Sequence, residues 1–256
     1  MPRHVLALSA VLLGLVNIIA TPTTQAPNPP LTVLSSNGYQ AVMEDLAVRF
    51  ERVKQRKVVV TYDLASTLKQ RIESGTAFDL AILTPAAIDD LITSGKIAAD
   101  SRTPLAKAGL GFAIKAGARK PDVTSADAFK RSLTAAASIA YVKEGASGVA
   151  FAALVQRLGL SDALGPKTKL TATRDEVGDA LRRGDAQLGV LPISEILPMT
   201  GVELGGAFPA DVQSYIVMVA GAGARAADGR AVRELIAFLT APEARPVITA
   251  KGMERP

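Results

Sequence analysis

Residues 31–93 read LTVLSSNGYQAVMEDLAVRFERVKQRKVVVTYDLASTLKQRIESGTAFDLAILTPAAIDDLIT, and this stretch decides the fold. Residues 31–34 form a short apolar run, the mark of a buried strand, and the polar Ser35-Ser36-Asn37-Gly38 breaks it. Over 39–53 the apolar residues Val42, Leu46, Phe50 and Val53 recur at helical spacing, which predicts an amphipathic helix. Residues 58–62 are β-branched and aromatic, a second strand. A helix over 66–74 carries Leu68 and Ile72 and stops at Gly75. Residues 80–83 form a third strand, and Pro85 stands where proline opens a helix, with Ile88, Leu91 and Ile92 facing inward. Three strand-then-helix units in succession predict a parallel sheet with helices on its faces.

A second series begins near Gly109. It has strands over 110–114, 138–142 and 187–191, and helices over 126–133, 148–158 and 173–183, the last opened by the capping box Thr173-x-x-Glu176. A strand over 213–219 and helices over 229–239 and 242–250 close the chain. Two βα series with a C-terminal return predict an α/β protein of two lobes, each a mostly parallel sheet flanked by helices, with two crossings near 103–111 and 201–213. The expected division is 27–107 with 206–256 as lobe 1 and 108–205 as lobe 2.

Ahead of the fold, Arg3 precedes an apolar run over 5–20 and the polar stretch 21–26, the order of a secretory signal peptide cut after Ala26. The run is short for a spanning helix and is broken by Ser9, Gly14 and Asn17. Cleavage leaves about 230 residues, comfortable for two lobes. It also removes His4, the one histidine in a chain that has no cysteine and no tryptophan. A Ser-His-Asp hydrolase, a thiol enzyme, a His-ligated zinc site and a disulfide framework then lack their atoms, so no metal site and no cofactor is expected. The whole-chain charge of +5 is a modest excess spread along a sequence with few aromatics, which argues against nucleic acid and suits small anions.

In open α/β sheets ligands sit beyond the carboxyl ends of strands, where loops enter helix N-termini. Four such places are rich in small polar residues: Ser35-Ser36-Asn37-Gly38-Tyr39; Ala65-Ser66-Thr67 after Asp63; Ala146-Ser147-Gly148 after Lys143 and Glu144; and Leu191-Pro192-Ile193-Ser194. Amide N–H groups at helix starts favour an anion. Each loop taken alone is also an ordinary turn with a capping side chain or a glycine for tight geometry. The paired placement, two loops per series, is what points to a shared anion cage.

The same segments resemble the molybdate-binding proteins of ABC transporters, within the type II periplasmic binding protein fold. The resemblance runs through Leu31-Thr32-Val33-Leu34 and its polar loop, Ala65-Ser66-Thr67-Leu68, Arg71-Ile72-Glu73-Ser74-Gly75, Phe78-Asp79-Leu80-Ala81-Ile82, Ala146-Ser147-Gly148, Leu188-Gly189-Val190 and Pro242-Glu243-Ala244. It implies two lobes closing on a desolvated oxyanion held by neutral donors. The family's first-loop serine falls at Gly38 and its second-loop serine at Ala65 or Ser66. Its second-lobe backbone donors fall at Ser147 and Val177, and its tyrosine falls at Pro192, which has neither hydroxyl nor amide N–H. The fold is thus better matched than the ligand, and a small carboxylate becomes an alternative to molybdate or tungstate.

A second resemblance, through 97–102, Pro121-Asp122-Val123, Ala146-Ser147-Gly148-Val149 and Lys251-Gly252-Met253-Glu254, is to a branch of this fold that includes periplasmic aconitate isomerases. It implies a tricarboxylate ligand and, in some members, proton transfer beside a double bond. The base would be Asp63, Glu144, Lys143 or a tyrosine, and none is singled out by the sequence. The leading expectation is a monomeric periplasmic binding protein, not an enzyme and without catalytic residues, that delivers a small anion to an ABC-transporter permease.

Overall fold

The computed structural model describes residues 28–256, so the signal peptide expected at 1–26, with His4, lies outside the described residues. The first half-lobe builds as β1 (Leu31–Ser36), α1 (Gln40–Lys54), β2 (Val58–Asp63), α2 (Ala65–Glu73), β3 (Leu80–Leu83) and α3 (Pro85–Thr93). β1 lies parallel to both β2 and β3. Leu80 to Leu83 are all buried because helices cover both faces, which is why the run shows no polar alternation.

β4 (Thr103–Lys115) then carries the chain into the second series: α4 (Ala126–Ala135), β5 (Ile139–Val142), α5 (Ala146–Arg157), α6 (Ser161–Leu164), β6 (Thr168–Thr171), α7 (Arg174–Arg183), β7 (Leu188–Pro192), α8 (Ile193–Ile196) and β8 (Val202–Ala207). β5 is parallel to β6 and β7. The chain returns through β9 (Tyr215–Ala222), α9 (Gly229–Thr240) and α10 (Arg245–Ala250). Each lobe therefore holds three parallel strands, with antiparallel strands added on the side toward the other lobe.

β4 is common to both. Its first part pairs antiparallel with β9, from Thr103↔Ala220 to Gly109↔Tyr215, and its second part pairs with β7 and β8, beginning at Leu110↔Pro192. The return segment is clipped to this changeover by Gln213, whose Oε1 accepts from the Leu110 amide at 2.8 Å and whose Nε2 donates to the Leu110 and Phe208 carbonyls at 3.2 Å. Beyond it, Phe112, Phe129, Phe151 and Phe208 pack ring on ring with centroids 4.6–6.2 Å apart, the aromatic centre of the second lobe's core.

Several elements differ from expectation. Val53 is 66% exposed, since the inward face of α1 is Val42, Met43, Leu46, Ala47 and Phe50. The strand expected over 110–114 is 13 residues long. β6, β8, α6 and α8 carried no readable pattern: β6 is an edge strand whose Leu170 faces solvent, and β8 contains Gly205 and Gly206.

Candidate functional site

The carboxyl ends of the parallel strands of both lobes open on one cavity of about 280 Å³. Ser36 and Asn37 enter it from the end of β1, Ala65 and Ser66 from the start of α2, and Ala146 and Ser147 from the start of α5. Pro192 closes β7 against it, and Ile216 and Met218 of β9 form an apolar part of the wall. These seven expected residues are brought together.

The other six expected residues are not on the cavity wall. Ser35 is fully buried within β1, where its hydroxyl donates to the Ser36 carbonyl at 3.3 Å. Tyr39 is also fully buried; its hydroxyl meets no partner among the described residues, and burial pushes its ionisation well above the ordinary phenol range. Thr67, half-buried on α2, does not line the cavity, and Val177 is sealed in the core of the second lobe. Gly148 serves packing: a Cβ there would stand 1.9 Å from the Val142 carbonyl oxygen, so only glycine lets α5 start against the end of β5. Gly38 is tight for a related reason, its missing Cβ lying 2.7 Å from the Met218 methyl and 3.6 Å from Glu195 Oε1.

Five polar cavity residues were not anticipated: Lys69, Thr84, Asp90, Arg174 and Glu195. Thr84 precedes α3, so the third βα loop joins the site by the same strand-end rule that selected the others. Lys69 bridges Glu73 at 2.9 Å and Asp90 at 3.4 Å, which ties α2 to α3. Arg174 is the first residue of α7, positioned by the Thr173 cap, whose hydroxyl accepts from the Glu176 amide at 3.2 Å. It donates from Nη2 to Gln40 Oε1 across the cleft at 3.0 Å.

Glu195 on α8 is the chemically distinctive group. Among the described residues its carboxyl makes neither an ion pair nor a hydrogen bond, yet it stands on the cavity wall with Arg174. Loss of water pushes its pKa up to about 7; Arg174 pulls it back and Asp175 pushes it further up. Of the acidic bases considered from sequence, Asp63 is held by Arg71 and by the Leu64 amide, both at 2.8 Å, whereas Glu144 lies on the cavity wall, 3.7 Å from Lys143, with both side chains largely in solvent. A second bond spans the lobes: the buried Ser194 hydroxyl donates to the Gly38 carbonyl at 2.9 Å.

Two lobes sharing a strand, with strand ends converging on a cleft between them, define the type II periplasmic binding protein fold. The chain belongs to the bacterial extracellular solute-binding protein family, whose family model matches residues 31–254. It is 29% identical over 254 residues to an aconitate isomerase of a Pseudomonas species, spanning 96% of each chain. It is 26% identical over 233 residues to the molybdate-binding protein of Escherichia coli strain K12, covering 87% of this chain and 88% of that one. The periplasmic molybdate-binding protein of Azotobacter vinelandii shares the fold with a TM-score of 0.75 at 20% identity, over 88% of this chain and 99% of that one.

Proposed function

We propose that this protein works in the periplasm as the monomeric binding component of an ABC transporter, capturing a small anion between lobes formed by 27–107 with 206–256 and by 108–205. The observation that carries this reading is the convergence of βα loops from both lobes, Ser36, Asn37, Ala65 and Ser66 on one side and Ala146 and Ser147 on the other, on a single cavity. Amide and hydroxyl donors at helix starts stabilise negative charge without a counter-cation. A ligand that contacts both lobes binds the closed form better than the open one, and the closed shape is what a permease would recognise.

Thermal unfolding with molybdate, tungstate, sulfate, phosphate, citrate and cis-aconitate tests it. An anion at 100 times its Kd adds about 2.7 kcal/mol, which for a chain of this size raises Tm by roughly 5–10 °C. A flat response to every anion would overturn anion capture.

A second reading, an isomerase acting on a tricarboxylate, is favoured by the full-length similarity to an aconitate isomerase and by the unpartnered carboxyl of Glu195 in the cleft. A group with its pKa near neutrality can both take and return a proton. Incubation with cis-aconitate in deuterated water should then yield deuterated trans-aconitate, and an unchanged spectrum removes this reading.

A further inference from the structure

The anion-capture reading leaves the ligand class open, and two side chains in the cleft narrow it. A tetrahedral dianion such as molybdate or sulfate needs donors on every side, and an ionised carboxylate facing it is repulsive. Glu195 places such a carboxyl on the cavity wall, and no group among the described residues neutralises it by direct contact. Arg174, on the same wall, donates from Nη2 to Gln40 and faces Asp175 from Nε at 3.7 Å, which leaves the N–H donors of Nη1 to offer.

We propose, building on the anion-capture reading, that Arg174 and Glu195 make the cleft selective for a small polycarboxylic acid: Arg174 holds one carboxylate, Glu195 shares a proton with another, and capture takes up that proton from solvent. The guanidinium fork matches a carboxylate geometrically. Protonated Glu195 is at once donor and acceptor, which suits a second carboxyl group and wastes its acceptor on an unprotonated oxyanion. The cavity, about 280 Å³, is many times the ~30 Å³ share of one water and has room for a ligand larger than five atoms.

The other charges around Glu195 support this division of labour. Asp175, beside Arg174 on α7, acts against ionisation of Glu195. Lys69 and Asp90 across the cleft are engaged with each other, and Glu144 faces Lys143. An anion arriving beside Glu195 makes the ionised form costlier still, so the complex binds a proton that the free protein has half lost near neutrality. Linkage then makes affinity fall by up to about tenfold per pH unit above pH 7.

Isothermal titration calorimetry of the full mature chain with tricarballylate, and separately with molybdate, tests this between pH 6 and 8 in buffers of different ionisation enthalpy. Tricarballylate should bind wild type with net proton uptake and more tightly than molybdate. Glu195→Gln, which keeps a neutral donor and acceptor, should bind it with the extra pH dependence gone, and Arg174→Gln should lose about 100-fold in affinity, the scale of a charge-assisted pair. Far-UV melts of both variants establish that they fold. Molybdate binding without tricarballylate binding sinks the proposal and leaves anion capture standing. So does tricarballylate binding with equal proton uptake in Glu195→Gln, or unchanged affinity in Arg174→Gln. If neither probe binds wild type, the thermal survey separates the two claims: no anion anywhere removes both, whereas a shift by another anion removes only the polycarboxylate.

Discussion

Glu195 imposes a stability signature of its own, independent of any ligand. Its folded pKa of about 7 stands above its ordinary value of 4.5, so between those values the folded chain retains a proton that the unfolded chain releases. Stability from this group is therefore full below about pH 4.5, declines as pH rises through the window, and stays reduced above pH 7. The decline amounts to at most about 3 kcal/mol, less where cleft water reaches the carboxyl. Glu195→Gln removes the ionisation, so its melting temperature should exceed that of wild type at pH 8 and converge with it near pH 4.5. Melts across that range check the sign; a variant less stable than wild type at pH 8 would show that the carboxylate is a needed charge.

At the level of elements, α7 links a cap to the cleft. Thr173 satisfies the Glu176 amide, and Glu176 Oε2 accepts from the Ala172 amide at 3.0 Å, so the first turn that carries Arg174 is fixed from both sides. Thr173→Ala should cost about 1 kcal/mol, read as a Tm loss of roughly 2–4 °C, and should weaken ligand binding as well, because Arg174 sits one residue on. This cap was legible in the sequence as Thr173-x-x-Glu176, and so were the first three βα units, whose β-branched strands and helical faces need no tertiary information. The loops at Ser36, Ser66 and Ser147 were legible for the same reason: each follows a recognisable strand. Arg174 and Glu195 were not, because their positions depend on β6, a four-residue edge strand with an exposed Leu170, and on α8, a single turn. A strand that buries one face incompletely, and a helix too short for a period, leave no pattern to read. Val53 failed in the opposite direction: it fits the helical spacing of α1, but the helix ends at Lys54 and that last turn has nothing to pack on.

For the whole molecule, closure rests on few polar ties. Ser194 to Gly38 and Arg174 to Gln40 are direct hydrogen bonds across the cleft, and neither is an ion pair. Removing the buried Ser194 hydroxyl should forfeit about 1 kcal/mol of closed-state stability, a shift of about fivefold toward the open form. Small-angle scattering of Ser194→Ala without ligand should show a larger radius of gyration than wild type, with the difference lost on saturation by the ligand. Identical profiles would mean that apolar contact alone holds the lobes.

The way β9 is threaded has its own effect on assembly. It inserts between β3 and β4, bonding to both, although those strands were synthesised more than a hundred residues earlier. Until residues beyond 215 arrive, β3 has a bare margin and the amino-terminal sheet has no way to shut. Such late, distant pairing slows folding, so a nascent chain of this design stays pliable well into its last quarter, which is the state a protein must be in to be threaded through a narrow export channel.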